Sequence, residues 1–142
     1  MPLPRINYLA VIAAAVAVFV IGFLWYSPLL FSAAWIQGHG YSQAQMDAMK
    51  GQLGRIYGTI FLCILIMGSV LYWLLGRMAV NTAAGGARLG AVIWLGFAAT
   101  LGLMAHLYTE APFSLYLIDA GYQLVYITAM GGILGWFRSR AA

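Results

Sequence analysis

The sequence predicts an all-α fold: an integral membrane bundle of four transmembrane helices with a short interfacial helix on its outer side. Three observations predict it. Hydrophobic residues make up 64% of the 142-residue chain and charged residues only 7%, against about 25% charged in an ordinary soluble domain. So few charged side chains cannot cover the surface of a water-soluble globule. Four long stretches with almost no charge follow one another, at residues 8–26, 56–76, 89–108 and 115–137, each near the roughly 20 residues a helix needs to cross hydrocarbon. The short alternating runs of a membrane barrel are absent, so helices must satisfy the backbone in lipid. With a mean hydropathy of +0.91, the composition excludes a soluble enzyme, a disordered chain and a fibrous rod.

The first span ends on Trp25-Tyr26, residues suited to a membrane interface. Its apolar run exceeds the 7–15 residues or so of a signal-peptide core. It is therefore expected to stay as a helix, although Arg5 and Ser32-Ala33-Ala34 could mark a cleaved leader. After Pro28, residues 29–36 read either as a bent extension of that helix or as a second interfacial piece. Gly38-His39-Gly40 reads as a break, and Ser42 with Gln45 makes a capping-box pattern. Met46, Met49 and Leu53 recur at helical spacing, which predicts a surface helix near residues 43–53. Between the second and third spans, Gly85-Gly86 reads as a flexible point. The 109–114 connection is so short that the third and fourth spans must form an antiparallel hairpin.

Basic residues set orientation. Arg5, Arg77, Arg88, Arg138 and Arg140 fall on one side of four crossings; Lys50 and Arg55 fall on the other, offset by Asp47 and Glu110. Both termini are therefore expected in the cytoplasm. The basic residues are scattered between apolar runs, so no nucleic-acid partner is expected. The lone Cys63 allows no internal disulfide.

Helices in lipid associate through close backbone approach and polar contacts. The candidate packing residues are Gly54 and Gly58, Gly86 and Gly90, Gly131 and Gly135, and a stripe of Gly96, Ala99 and Gly102 leading to His106.

Asp119 is the most informative residue. A charge at mid-membrane costs about 2.5–3.5 kcal/mol on insertion scales, so it normally faces the bundle and has a partner. Helical spacing puts Tyr116, Asp119, Tyr122, Tyr126 and Met130 on one stripe. Across the hairpin, His106 and Asp119 differ in depth by about 3 Å at 1.5 Å per residue, which makes an Asp119–His106 contact the expected one. Arg55 is a competing partner, Glu110 lies one turn from His106, and Tyr26 and Ser27 end the first span at the same level. This polar layer reads first as a latch that fixes the register of the bundle. It reads second as a proton, ion or small-ligand pocket in a transporter or channel component. It reads last as a catalytic site acting on a lipid-like substrate, since Ser27, His106 and Asp119 have the residue types of a triad without a demonstrated geometry. His39 between two glycines reads as an ordinary solvated side chain. The two histidines match no metal or haem spacing, and there is no phosphate loop; no metal and no cofactor are expected. Trp25, Trp35, Trp73 and Trp136 read as interface anchors, and Trp94 is less clear.

Several blocks together resemble a known family: Ile6 to Ala10, Gly22 to Phe31, Trp94-Leu95-Gly96-Phe97, His106-Leu107, Leu117 to Tyr122, and Gly131 to Trp136. Nearly the whole chain resembles the small bacterial membrane proteins grouped as domain of unknown function 1761. The Gly22 to Phe31 and Asp119-Ala120-Gly121-Tyr122 blocks are the specific ones. The resemblance implies a four-helix protein of a bacterial inner membrane and carries no catalytic residues. The combined expectation is a non-enzymatic, self-associating protein whose partner is the lipid bilayer.

Overall fold

The fold begins at Asn7, whose side-chain oxygen accepts a hydrogen bond from the Ala10 amide at 3.2 Å and caps α1 (Tyr8–Trp25). In the computed structural model, which describes residues 5–141, the described chain is helical with no strand. After α1 the chain turns on Ser27 and Pro28, with the Phe31 amide donating to the Trp25 carbonyl at 3.1 Å. A separate short helix follows, α2 (Ser32–His39), which ends at Gly40 in the left-handed region at φ 67°. Residues 29–36 are thus a turn followed by a new helix. The capping box of Ser42 and Gln45 opens α3 (Gln43–Lys50).

The surface helix stops short of residue 53 because Gly51 and Gln52 turn the chain into α4 (Leu53–Arg77). Thr82 accepts from the Gly85 amide at 3.0 Å and opens α5 (Ala83–Ile93). Gly85 and Gly86, read from sequence as a flexible point, therefore lie inside the first turns of a helix. A five-residue π segment, Trp94–Ala98, joins α5 to α6 (Ala99–His106) without a break. The last helix is α7 (Phe113–Ala141).

Four helical stretches are long and apolar enough to cross a membrane: α1, α4, the continuous 83–106 rod and α7. The rod and α7 run beyond the hydropathy spans at both ends or at one, because glycine, threonine and terminal arginines continue a helix outside hydrocarbon. Arg138 and Arg140 fall in the last turn of α7, where a cation complements the helix dipole. The exposed faces are apolar, with Val92, Leu95 and Phe97 each more than 60% exposed, as a lipid-solvated surface requires.

The helix α7 is central and touches α1, α2, α4, α5 and α6. Its crossing with α5 is a backbone-to-backbone contact. A Cβ on Gly86 would overlap the Gly131 carbonyl, one on Gly131 would overlap the Gly86 carbonyl, and one on Gly135 would overlap the Thr82 carbonyl. A Cβ on Gly90 would sit 2.5 Å from the Ile127 carbonyl oxygen. The other candidate glycines are placed differently. Nothing lies within 4 Å of a Cβ position on Gly54, Gly58 or Gly96, so they face no neighbouring helix of this chain, and Gly102 makes only an ordinary 3.4 Å approach to the Tyr116 ring. On its other face α7 sends Met130 and Leu134 into a core with Val11, Ala14, Val18, Leu71 and Leu75 from α1 and α4.

One end of the bundle gathers both described chain ends. Ile6, Val80 and Phe137 pack on the same core cluster. Arg138 donates from Nε to the Val80 carbonyl and the Asn81 side chain, both at 3.1 Å, and lies 5.2 Å from the Tyr72 ring centre. The Tyr26 and Asp119 end is the opposite one.

Gly131→Val puts branched carbon into the α5–α7 backbone contact. Overpacking of this kind costs about 1–3 kcal/mol, so the variant is expected to unfold at lower denaturant in detergent. Gly96→Ala, with open space around it, is expected to unfold with the wild type.

Candidate functional site

At the end of the bundle away from the termini, α7 presents Asp119 to the C-terminal end of α1. The Tyr26 hydroxyl donates to Asp119 Oδ1 at 2.6 Å. One residue earlier in each helix, the Trp25 indole N–H donates to the Ile118 carbonyl at 3.0 Å. One residue later in α7, the Ala120 carbonyl accepts from the Trp94 indole at 2.9 Å. Asp119 is thus flanked by two backbone carbonyls, each tied to a tryptophan of a different helix. Close approach on the α1 side needs small residues: a Cβ on Gly121 would lie 3.1 Å from the Trp25 ring, and one on Gly22 would lie 2.7 Å from the Tyr122 hydroxyl.

The expected stripe on α7 divides among neighbours. Tyr116 donates to the Ala99 carbonyl at 2.7 Å, Tyr122 to the Val18 carbonyl at 3.4 Å, and Tyr126 contacts the Met67 sulfur at 3.9 Å. Tyr116 therefore serves the hairpin, Tyr122 serves α1, and Tyr126 serves α4.

The expected partners of Asp119 are elsewhere. His106 packs its ring against Phe113 and Tyr116, with centres 6.1 and 5.7 Å apart. It makes no side-chain hydrogen bond among the described residues. His106 and Asp119 face each other only if the third span is a straight α-helix. The π segment at Trp94–Ala98 inserts an extra residue and rotates everything after it. Arg55 binds Gln52 on its own helix face and is exposed. Glu110 is exposed in the hairpin turn. Ser27 is spent locally, donating to the Leu24 carbonyl at 2.7 Å and accepting from the Leu29 amide at 3.3 Å. Ser27, His106 and Asp119 make no hydrogen bond with one another.

Two cavities meet at Asp119. The larger, about 650 Å³, lies between α1, α2, α3, α4 and the start of α7, with Tyr26, Trp35, Tyr57, Asp119 and Tyr122 on its walls. The smaller, about 430 Å³, lies toward the hairpin and is lined by His106, Tyr116, Asp119 and Gln123. His39 borders both. It is exposed, as the solvated reading expects, and its ring also stacks on Tyr41 at 4.7 Å and meets Trp35 at 4.3 Å.

Trp25, read from sequence as an interface anchor, and Trp94, left open there, both hold the candidate site through their indole N–H groups. The signal available was chemical: an indole N–H away from water needs an acceptor, and both lie within a few turns of the only carboxylate in a span.

Removing the hydroxyl with Tyr26→Phe leaves Asp119 without its donor. Polar contacts between membrane helices average about 0.6 kcal/mol and reach about 1.7. The variant is expected to lose stability in that range in an SDS-unfolding titration, while Tyr108→Phe, at an exposed position, leaves it unchanged.

A model of the family described as "Protein of unknown function (DUF1761)" matches residues 9–135, a range that includes Tyr26, Trp94 and Asp119. Neither the curated proteins nor the solved structures contain a match to the chain. By this match over most of its length the chain belongs to the DUF1761 family.

Proposed function

We propose that this membrane protein is non-enzymatic and binds a small ligand in the cavity beside Asp119, with the Tyr26–Asp119 hydrogen bond latching α7 to α1 at its wall. The observation that carries the reading is the position of the carboxylate on a cavity of about 650 Å³, within the 300–1,000 Å³ or so typical of small-molecule sites. Two tryptophan-to-backbone hydrogen bonds hold the segment bearing that carboxylate in place, as a preorganised site needs. A transport role has one observation in its favour: Asp119 and His39 border both cavities, so an ion or ligand leaving one has a carboxylate in common with the next.

The protein is taken to sit in a bacterial inner membrane with both termini cytoplasmic. Supporting this, Arg138 bonds the 80–81 turn, so five of the seven basic residues gather toward one end. Self-association is part of the same reading. Gly54 and Gly58 have open space above their Cα atoms, which leaves room for close approach by a second copy.

The neutral fluorophore 1-aminoanthracene tests the cavity. Saturable binding to the purified protein in detergent is expected, and Met49→Trp, which fills the cavity from α3, is expected to abolish it. Met104→Trp on an exposed apolar face is expected to leave it intact. Equal binding to all three proteins, or none to the wild type, contradicts the reading. For orientation, single cysteines placed at Ser139 and Gln43 in a Cys63→Ser background should react with a membrane-impermeant maleimide from opposite sides of sealed vesicles. Labelling of both from one side contradicts it.

A further inference from the structure

We infer that the ligand of this cavity is an organic monocation with an apolar body, such as an amine or quaternary ammonium on an alkyl or aryl frame. The inference rests on the reading that the cavity binds a ligand, and it adds the chemical class.

The walls carry one charge of each sign, and the two differ in whether a neighbour offsets them. Asp119 and Lys50 are the charged residues lining the cavity, with His39 as its imidazole. Lys50 is already paired with Asp47 at 3.1 Å, and its side chain is 67% exposed, so its ammonium lies in water with a neighbour that offsets it. Among the described residues Asp119 has no cationic partner. Its one hydrogen bond among them comes from the neutral Tyr26 hydroxyl, although an ionised carboxylate can accept at about four lone-pair sites. A carboxylate at the end of an apolar bundle is stabilised by a cation brought to it, and an anionic ligand would be repelled.

The walls next to the carboxylate are aromatic. Tyr26 meets Trp35 at 5.9 Å and 72°, and Tyr122 at 5.2 Å and 74°. The ring whose hydroxyl holds Asp119 thus packs at steep angles against one ring of α2 and one of α7. Aromatic faces attract organic cations, quaternary ammonium groups above all. The lining also holds the apolar side chains of Met46, Met49, Ile56 and Ile60, a surface suited to a hydrocarbon body. Bare calcium would need about six to eight oxygen ligands, and one carboxylate with a few tyrosine hydroxyls does not supply them.

The test uses two isosteric probes: 4-phenylbutyltrimethylammonium, and the same skeleton with the quaternary nitrogen replaced by carbon. Each displaces bound 1-aminoanthracene from the wild type, Asp119→Asn and Trp35→Leu, all full-length in one detergent. The ratio of cation to neutral affinity is compared between proteins, which cancels partitioning into micelles. The ratio is expected to fall at least tenfold in Asp119→Asn and about threefold in Trp35→Leu. An unchanged ratio in Asp119→Asn, with 1-aminoanthracene still bound, overturns the cation preference and leaves the ligand-binding reading standing. Should Asp119→Asn fail to fold, the Trp35→Leu ratio decides: a fall supports the inference and an unchanged ratio overturns it. Absence of 1-aminoanthracene binding to the wild type overturns both readings.

Discussion

A carboxylate two turns into an apolar helix is the constraint around which this end of the bundle is arranged. Hydrocarbon offers Asp119 no hydrogen-bond donor and no counter-charge, so α7 must turn that face toward another helix. The donor it meets is the Tyr26 hydroxyl at the end of α1. Once that contact is made, Trp25 is carried to the Ile118 carbonyl, and the chain beyond α1 has to leave over the top of the bundle. The turn at Ser27, the short α2 and the surface helix α3 follow from that exit, and the larger cavity lies open between α2, α3, α1 and α4 beside the carboxylate.

The opposite end is held by different physics. Lipid tails compete with apolar side chains for the same contacts, so helix association depends on how closely backbones approach. Gly86, Gly90, Gly131 and Gly135 let α5 and α7 touch through their carbonyls. Arg138 closes the same end by binding the turn that precedes α5. The bundle is thus fixed by backbone contact near the termini and by polar side chains at the far end. Both cavities that Asp119 borders lie at the far end, away from the glycine crossing.

Much of the fold was legible in the sequence because its signals are local. Four apolar runs mark four helices, and Ser42 with Gln45 marks the start of α3 because a capping box needs only its own first turn. Helix ends were less legible. Ala83 to Arg88 lies before the uncharged run that Arg88 delimits and carries two glycines, yet it is helical because Thr82 caps it and the helix projects past the apolar run. Glycine spacing was ambiguous for a physical reason. Gly54 and Gly58 have the same four-residue spacing as Gly131 and Gly135, but only the second pair has a helix in front of it. The candidate site was half legible. Asp119 bonds Tyr26, which the sequence places at its level, whereas Arg55, His106, Glu110 and Ser27 make no bond to it, because the choice of partner depends on helix rotation. The π segment at Trp94–Ala98 changes the rotation of α6, and no rule of spacing anticipates it.

Asp119 is expected to turn inward to Tyr26 when the protein is in lipid. Solid-state NMR of protein labelled at aspartate Cγ and tyrosine Cζ, in bilayer vesicles, tests it most directly. The account expects a through-space correlation between Asp119 Cγ and Tyr26 Cζ that disappears in a Tyr26→Phe sample. A correlation of Asp119 Cγ with lipid acyl methylene protons, and none with Tyr26, would contradict it.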